Sequence, residues 1–383
     1  MAIVSLFLTS AALGRNPPTV RWGYQLVTST EDVVRAAFAD SNDGIYFCVS
    51  EKHKDTAGHK IFKKTTILKY NRHGNQIWSK QLEGYVVEDF ATDKQGDIFV
   101  FGYIPGTPGQ ETKGGHDGFV ARYDKADTQL WVWQLGTPEH NVCTGLDFDA
   151  DGNMYISGYT YGDFAKPNQG GADMFIAAYD KNRSLLWRDQ IGTNTDDRAM
   201  DIRVGDNNDV YICGNISGTL ARKNNGLGDF VVTRYELTGK SIWLYQYDTN
   251  AMDAIMCMEI GELGHLYLGC RTKGNVGSRR PQRRHLDSCL VRINEKGKML
   301  WVCQFGSYNW DRTWDMARFE DGSGDILISG CQYLSGTCQA YCRRYSPEGK
   351  LIWIKEFSKK KAGAAHAGVC MLLIATTTAT TGA

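Results

Sequence analysis

The chain has 383 residues, of which 42% are apolar and 11% aromatic, ample for a buried core. Lys plus Arg and Asp plus Glu each number 43, so the net charge is zero, which argues against a strongly basic nucleic-acid binder and against an acidic solvating chain. Gly is abundant at 42 and Pro scarce at 8, a balance that points to many tight turns and not to disorder.

Taken in order, residues 1–13 are apolar but have no Lys or Arg ahead of the apolar run, a poor fit to a secretory signal. The run is too short to span a bilayer, and no later stretch is long enough, so no membrane span is expected. From Trp22 onward one phrase keeps returning: a turn, an apolar residue, a Trp, two variable residues, a Gln and another apolar residue. It is clearest in Leu130-Trp131-Val132-Trp133-Gln134-Leu135 and Leu186-Trp187-Arg188-Asp189-Gln190-Ile191. Trp22, Trp78, Trp131, Trp187, Trp243, Trp301 and Trp353 stand 52 to 58 positions apart, a period that suits a unit of about four strands.

Each period holds three more strand-like pieces. The second is weak and ends in a polar turn, as in Ala199-Met200-Asp201-Ile202-Arg203-Val204. The third follows a Gly, Asn or Asp turn, as in Gly152-Asn153-Met154-Tyr155-Ile156-Ser157-Gly158, and the fourth reads Asp117-Gly118-Phe119-Val120-Ala121-Arg122-Tyr123-Asp124. These pieces are rich in Val, Ile, Tyr, Phe and Trp and show no sustained helical stripe. Each unit is therefore a small antiparallel meander with two apolar faces. Radial stacking around an axis buries both faces, so the expected fold is all-β, a β-propeller of four-stranded blades over residues 20–357. Six periods are complete. The ends, residues 1–19 and the low-complexity tail 358–383, each hold a strand-like segment, so closure as seven blades with a composite last one is expected, six being the rival count.

Eleven Cys are present, several inside apolar runs such as Tyr46-Phe47-Cys48-Val49, no CxxC pair appears, and the loose cluster of Cys331, Cys338 and Cys342 is not read as a zinc site. Buried thiols in a reducing compartment are expected, hence a cytoplasmic protein, with secretion the alternative.

Residues 114–160 carry the phrases GG-x-D-x-F-V-A-x-Y-D, W-x-x-Q-L-G and D-x-D-G-N-x-Y-I-x-G-Y-T. These resemble the bacterial β-propeller repeat known as the SBBP repeat, and the likeness extends over roughly residues 20–357. The wider neighbourhood is similar to the quinoprotein alcohol dehydrogenase-like propellers, although the vicinal Cys-Cys pair of those enzymes is missing. The resemblance implies the fold and carries no activity.

Several residues invite a functional reading. Asp32, Asn141, Asp197, Asp253 and Asp311 recur before the third piece, with Tyr85 in their place in the second blade and Asp311 two positions early. They would ring one mouth of the channel, either as a polar-ligand site or as turn-locking acceptors. Asp117, Asp173, Asp229 and Asp287 open the fourth piece and read as turn-locking residues. Asp147, Asp149 and Asp151 resemble the start of a calcium loop, but the Glu that such a loop needs is replaced by Gly158. His53, Asp55 and His59 share a loop in which neighbouring Lys residues oppose a cation, and no metal is expected there. Arg279, Arg280, Arg283, Arg284 and His285, with Lys60, Lys63 and Lys64 in the matching loop of the first blade, would form a basic rim for an acidic partner. No nucleophile or phosphate-loop motif stands out and no cofactor is expected. The expected function is a non-catalytic, monomeric scaffold that presents loops on one face to a protein partner. The alternatives are a ligand, cofactor or substrate site on the channel axis, and a secreted or surface propeller that binds glycans.

Overall fold

The structure, a computed structural model, describes residues 3–10, 20–27, 31–40, 44–54, 60–105, 115–221, 228–247, 249, 251–276, 285–307, 309–319, 321–334, 337–357 and 372–375. Six sheets of four antiparallel strands follow one another along the chain, over residues 31–83, 86–135, 141–191, 197–247, 253–305 and 311–357. Consecutive sheets touch chiefly through their first strands, Glu31–Ala39, Val86–Thr92, Asn141–Phe148, Asp197–Val204, Asp253–Ile260 and Asp311–Arg318. These strands stand around the axis and the tryptophan strands lie outermost, so the sheets are the blades of a propeller ring.

The seven-blade closure does not form. Val20–Val27, which carries Trp22, pairs antiparallel with Ile3–Ser10, and Ile3–Ser10 pairs parallel with Leu372–Ala375. The two termini therefore share one sheet, but it has three strands and not four. A blade is a meander of alternating strands, and a segment that enters in the parallel sense cannot complete it.

Blade three shows why the sequence repeats. Tyr155, on Met154–Thr160, is buried and faces the half-buried Trp187 at 6.1 Å between ring centroids. Tyr46 with Trp78, Tyr211 with Trp243 and Tyr267 with Trp301 make the same pair in their own blades. The aromatic of the third piece is thus core. Trp78, Trp131, Trp187, Trp243 and Trp301 sit at the rim and are only partly covered, whereas Trp353 is buried, so recurrence of the Trp does not make it core. Their work is to join blades. The indole N–H of Trp187 donates to Leu237 O in the next blade (2.6 Å), that of Trp243 to Glu295 O (3.0 Å) and that of Trp301 to Pro347 O (3.0 Å). Trp78 reaches the Asp127 carboxylate of blade two at 2.6 Å.

Two further repeats have a mechanical cause. Each inner strand bulges by one residue (Arg35, Glu88, Thr144, Met200, Met256 and Trp314), and the partner strand passes close by. A Cβ on Gly158 would meet Val142 O at 1.9 Å, and one on Gly102 or Gly330 a carbonyl at 2.1 Å, hence the Gly that closes the third piece. The Gln of the Trp phrase is a staple. Gln190 Nε2 donates to Asp173 (2.8 Å), while its Oε1 accepts the backbone N–H of Phe164 (2.8 Å) and Ala165 (3.0 Å) in the loop between the second and third strands. Gln246 with Asp229 (2.5 Å) and Gln304 with Asp287 (2.8 Å) repeat it.

Candidate functional site

The inner strands decide what faces the axis. After each bulge the next residue and the one two further along point toward the channel. At those positions stand Asp89 in blade two, Asp147 in blade three, Asp201 and Arg203 in blade four, Glu259 in blade five and Asp315 in blade six. Each carboxylate accepts the N–H of the following residue: Phe90, Phe148, Ile202 and Met316 at 2.8 Å, and Ile260 at 3.0 Å. Two of them also bind the next blade, Asp147 through Val204 N (2.8 Å) and Asp201 through Met258 N (2.9 Å).

Charge divides this ring into two parts. Arg203 pairs with Asp201 at 2.5 Å, lies 4.0 Å from Glu259 and feels Asp147. Asp89 and Asp315 reach open space in the channel, and among the described residues no cation lies within ion-pair distance of either. Although both side chains are exposed within the ring, desolvation raises the Asp89 carboxyl to about 8, with the charge of Asp315 adding to it. Desolvation likewise takes Glu259 to about 7 and Asp315 to about 6. Asp147 and Asp201 are raised by burial as well, against the pull of Arg203. The arrangement can hold protons near neutral pH or accept a small cationic group. Among the described residues no group of three or more His, Cys, Asp or Glu is placed to hold a metal.

Of the recurring residues at the start of the inner strands, Asn141, Asp197, Asp253 and Asp311 are buried acceptors. Asp197 takes Thr193 N (2.5 Å) and Thr193 Oγ1 (2.7 Å), Asp253 takes Thr249 N (2.6 Å), and Asp311 takes Ser307 N (2.6 Å). Asp311 pairs in register with Gln332 as Asp197 does with Ile216, so its displacement exists only in the sequence, where the hairpin of blade six is two residues longer. Asp32 occupies the matching register opposite Glu51. Asp117 is buried at the head of its strand like Asp173, Asp229 and Asp287.

The calcium-like triplet does not converge. Asp147 lies on the inner strand, while Asp149 is spent on its own turn, accepting Asp151 N and Asn153 N at 2.9 Å. Of the basic rim, Lys64 pairs with Glu51 at 3.4 Å, and His285 is half-buried at the end of its connection. Arg279, Arg280, Arg283 and Arg284 lie outside the described residues, as do Asp55, His59 and the side chains of Trp22, Asp32, His53, Lys60 and Lys63. The axial set of Asp89, Asp201, Arg203, Glu259 and Asp315 escaped sequence reading. Its one signal is a charged residue in the weak second piece, where an ordinary strand would carry an apolar one.

The fold makes this chain a β-propeller. Residues 130–165 match the family described as a β-propeller repeat, SBBP, a stretch that runs from the Trp strand of blade two into the first half of blade three. An uncharacterized WD repeat-containing protein, L264, of Acanthamoeba polyphaga mimivirus is 21% identical, the match covering 76% of this chain and 24% of that protein. The regulatory protein FlaEY of Caulobacter vibrioides is 25% identical over 58% of this chain and 25% of its own length. The chain thus spans about a quarter of the length of these relatives. Among solved structures, the α-L-arabinofuranosidase Arb93A of Fusarium graminearum superposes with a TM-score of 0.50 at 9% identity, over 88% of this chain and 94% of that one, a likeness of fold alone.

Proposed function

We propose that this propeller is a non-catalytic scaffold that holds a protein partner against the face where the second and third strands of each blade are joined. The observation that carries this reading is a contrast within one ring. The strands repeat their staples from blade to blade, whereas the connections on that face range from residues 335–336 in blade six to residues 161–172 in blade three and 273–286 in blade five. Repeated structure serves the ring, and variable connections on a rigid frame serve recognition. By sequence, the basic runs fall in the connection between Leu266–Thr272 and Asp287–Ile293 and at the start of Lys60–Tyr70, after its connection from Ile45–Lys54; both connections join second to third strands, which fits an acidic partner. Buried thiols at Cys48, Cys143, Cys213, Cys257, Cys270 and Cys289 support a reducing, cytoplasmic setting. No helix among the described residues is long and apolar enough to cross a membrane. The name of the mimivirus relative, a WD repeat-containing protein, is compatible with a binding propeller.

Cross-linking with mass spectrometry tests the face. Partner cross-links should fall on residues 60–64 and 273–286, and charge reversal of Arg279, Arg280, Arg283 and Arg284 should abolish them with circular dichroism unchanged. Cross-links confined to the opposite turns, such as 124–128 or 180–184, would reject the assignment. A second reading, a small cationic ligand on the axis, is favoured by Asp89 and Asp315, which lack a cation partner among the described residues.

A further inference from the structure

The face proposed to meet the partner also carries two arginines that, unlike five others in the molecule, hold no carboxylate among the described residues. Arg35, Arg122, Arg203, Arg234 and Arg344 each hold a carboxylate at 2.5 to 2.8 Å. Arg271, near the end of Leu266–Thr272 in blade five, and Arg312, near the start of Asp311–Arg318 in blade six, have no carboxylate within ion-pair distance among the described residues. Their two strands touch across the blade boundary. The Nε–H of each is buried and makes no hydrogen bond. Burial and the charge of Arg312 both act against the protonated form of Arg271. Two like charges held together without a counterion are a cost that an anion would relieve.

Arg312 also lines a cavity of about 460 Å³ with Asn309, Trp310 and Tyr333. Trp310 is 48% exposed, and the loop that carries it is held in place: Tyr333 N donates to Trp310 O (3.2 Å) and Ser307 Oγ to Tyr333 O (3.1 Å). Trp and Arg are enriched among the residues that carry binding energy at protein interfaces, and the guanidinium fork matches a carboxylate in shape and charge.

We propose that the mouth between blades five and six is an anion pocket that receives an acidic peptide segment of the partner, its carboxylates on Arg312 and Arg271 and its backbone against Trp310. The assignment of a peptide rests on the scaffold reading. The pocket itself rests on Arg312 and the cavity it lines, with Arg271 on the touching strand of blade five.

The test uses the whole chain at low ionic strength, with fluorescein-labelled hexaglutamate as probe, hexalysine as control and trigalacturonate as an acidic sugar of similar charge spacing. Hexaglutamate should bind and quench tryptophan fluorescence, and hexalysine should do neither. Arg312→Gln and Arg271→Gln should each weaken hexaglutamate at least tenfold, Arg312→Lys less, and Trp310→Ala should remove the quenching. Arg183→Gln, an arginine stacked on Trp131 at 4.8 Å in a turn on the opposite face, should change nothing. Absence of hexaglutamate binding, or equal binding by Arg312→Gln with an unchanged near-ultraviolet spectrum, overturns the pocket. Tighter binding of trigalacturonate overturns the peptide. The two readings also fail separately. A partner that cross-links to this face although hexaglutamate does not bind sinks the pocket alone, whereas hexaglutamate binding without any protein cross-link leaves the pocket and removes the scaffold.

Discussion

The rim and the axis of this propeller obey different rules. At the rim the blades share one problem, docking a flat sheet onto its neighbour, and blades three to five answer with the same Tyr–Trp pair, the same indole-to-turn hydrogen bond and the same Gln–Asp staple. At the axis the blades face one another across a channel, so complementarity replaces repetition: Arg203 of blade four meets Asp201 of its own strand and approaches Glu259 of blade five, while the charge of Asp315 in blade six raises the proton affinity of Asp89 in blade two. Positions that share a mechanical duty converge in sequence, and positions that share a space diverge.

The comparison can be broken first in the core. Tyr211 is fully buried beneath Trp243, and Tyr211→Ala should cost about 3–5 kcal/mol in chemical denaturation through the cavity it leaves. A loss under about 1 kcal/mol would mean that the blade boundary is not packed as described. The rim should be softer. Trp187 is half-buried, stacked on Tyr235 at 5.7 Å and bonded to Leu237 O, so Trp187→Ala should cost about 2–3 kcal/mol. Trp187→Phe, which keeps an aromatic ring, should cost about 1 kcal/mol for the lost hydrogen bond. Equal losses for Trp187→Ala and Tyr211→Ala would erase the distinction between rim and core.

At the axis, Asp201→Ala strands Arg203 and the N–H of Met258 and should cost about 1–3 kcal/mol, read by the same denaturation. The smallest effect is a pH slope. Asp89, Glu259 and Asp315 have folded values near 8, 7 and 6, above their ordinary 3.8 and 4.5, so their protonated forms favour the native state. That contribution is full below about pH 4 and is lost as pH rises through the folded values, between about 6 and 8. The melting temperature should therefore fall from pH 5 to pH 9, and the Asp89→Asn, Asp315→Asn double variant should flatten the slope. A slope of opposite sign would show that these groups are ionised and paired.

Much of the fold was legible because a strand's duties are local. The spacing of the tryptophans, the β-rich apolar runs and the Gly, Asn or Asp turns all follow from neighbours within one blade, and the six complete blades stand where the periods put them. The blade count failed at the seventh because the direction in which Leu372–Ala375 joins Ile3–Ser10 depends on how two distant ends meet. The spacing placed the Trp residues on the correct strand but left their partial exposure open, since periodicity tells which residues recur and not how deeply the neighbouring blade covers them.

The sequence by itself determined the strand, the turn chemistry and the number of complete repeats, because each depends on side-chain alternation and backbone preference within about fifty residues. Only the tertiary structure decided which charges share the channel and which arginines stand unpaired at its mouth. Those relations join residues more than a hundred positions apart, such as Asp89 and Asp315, and burial gives them their energy only after the ring has formed.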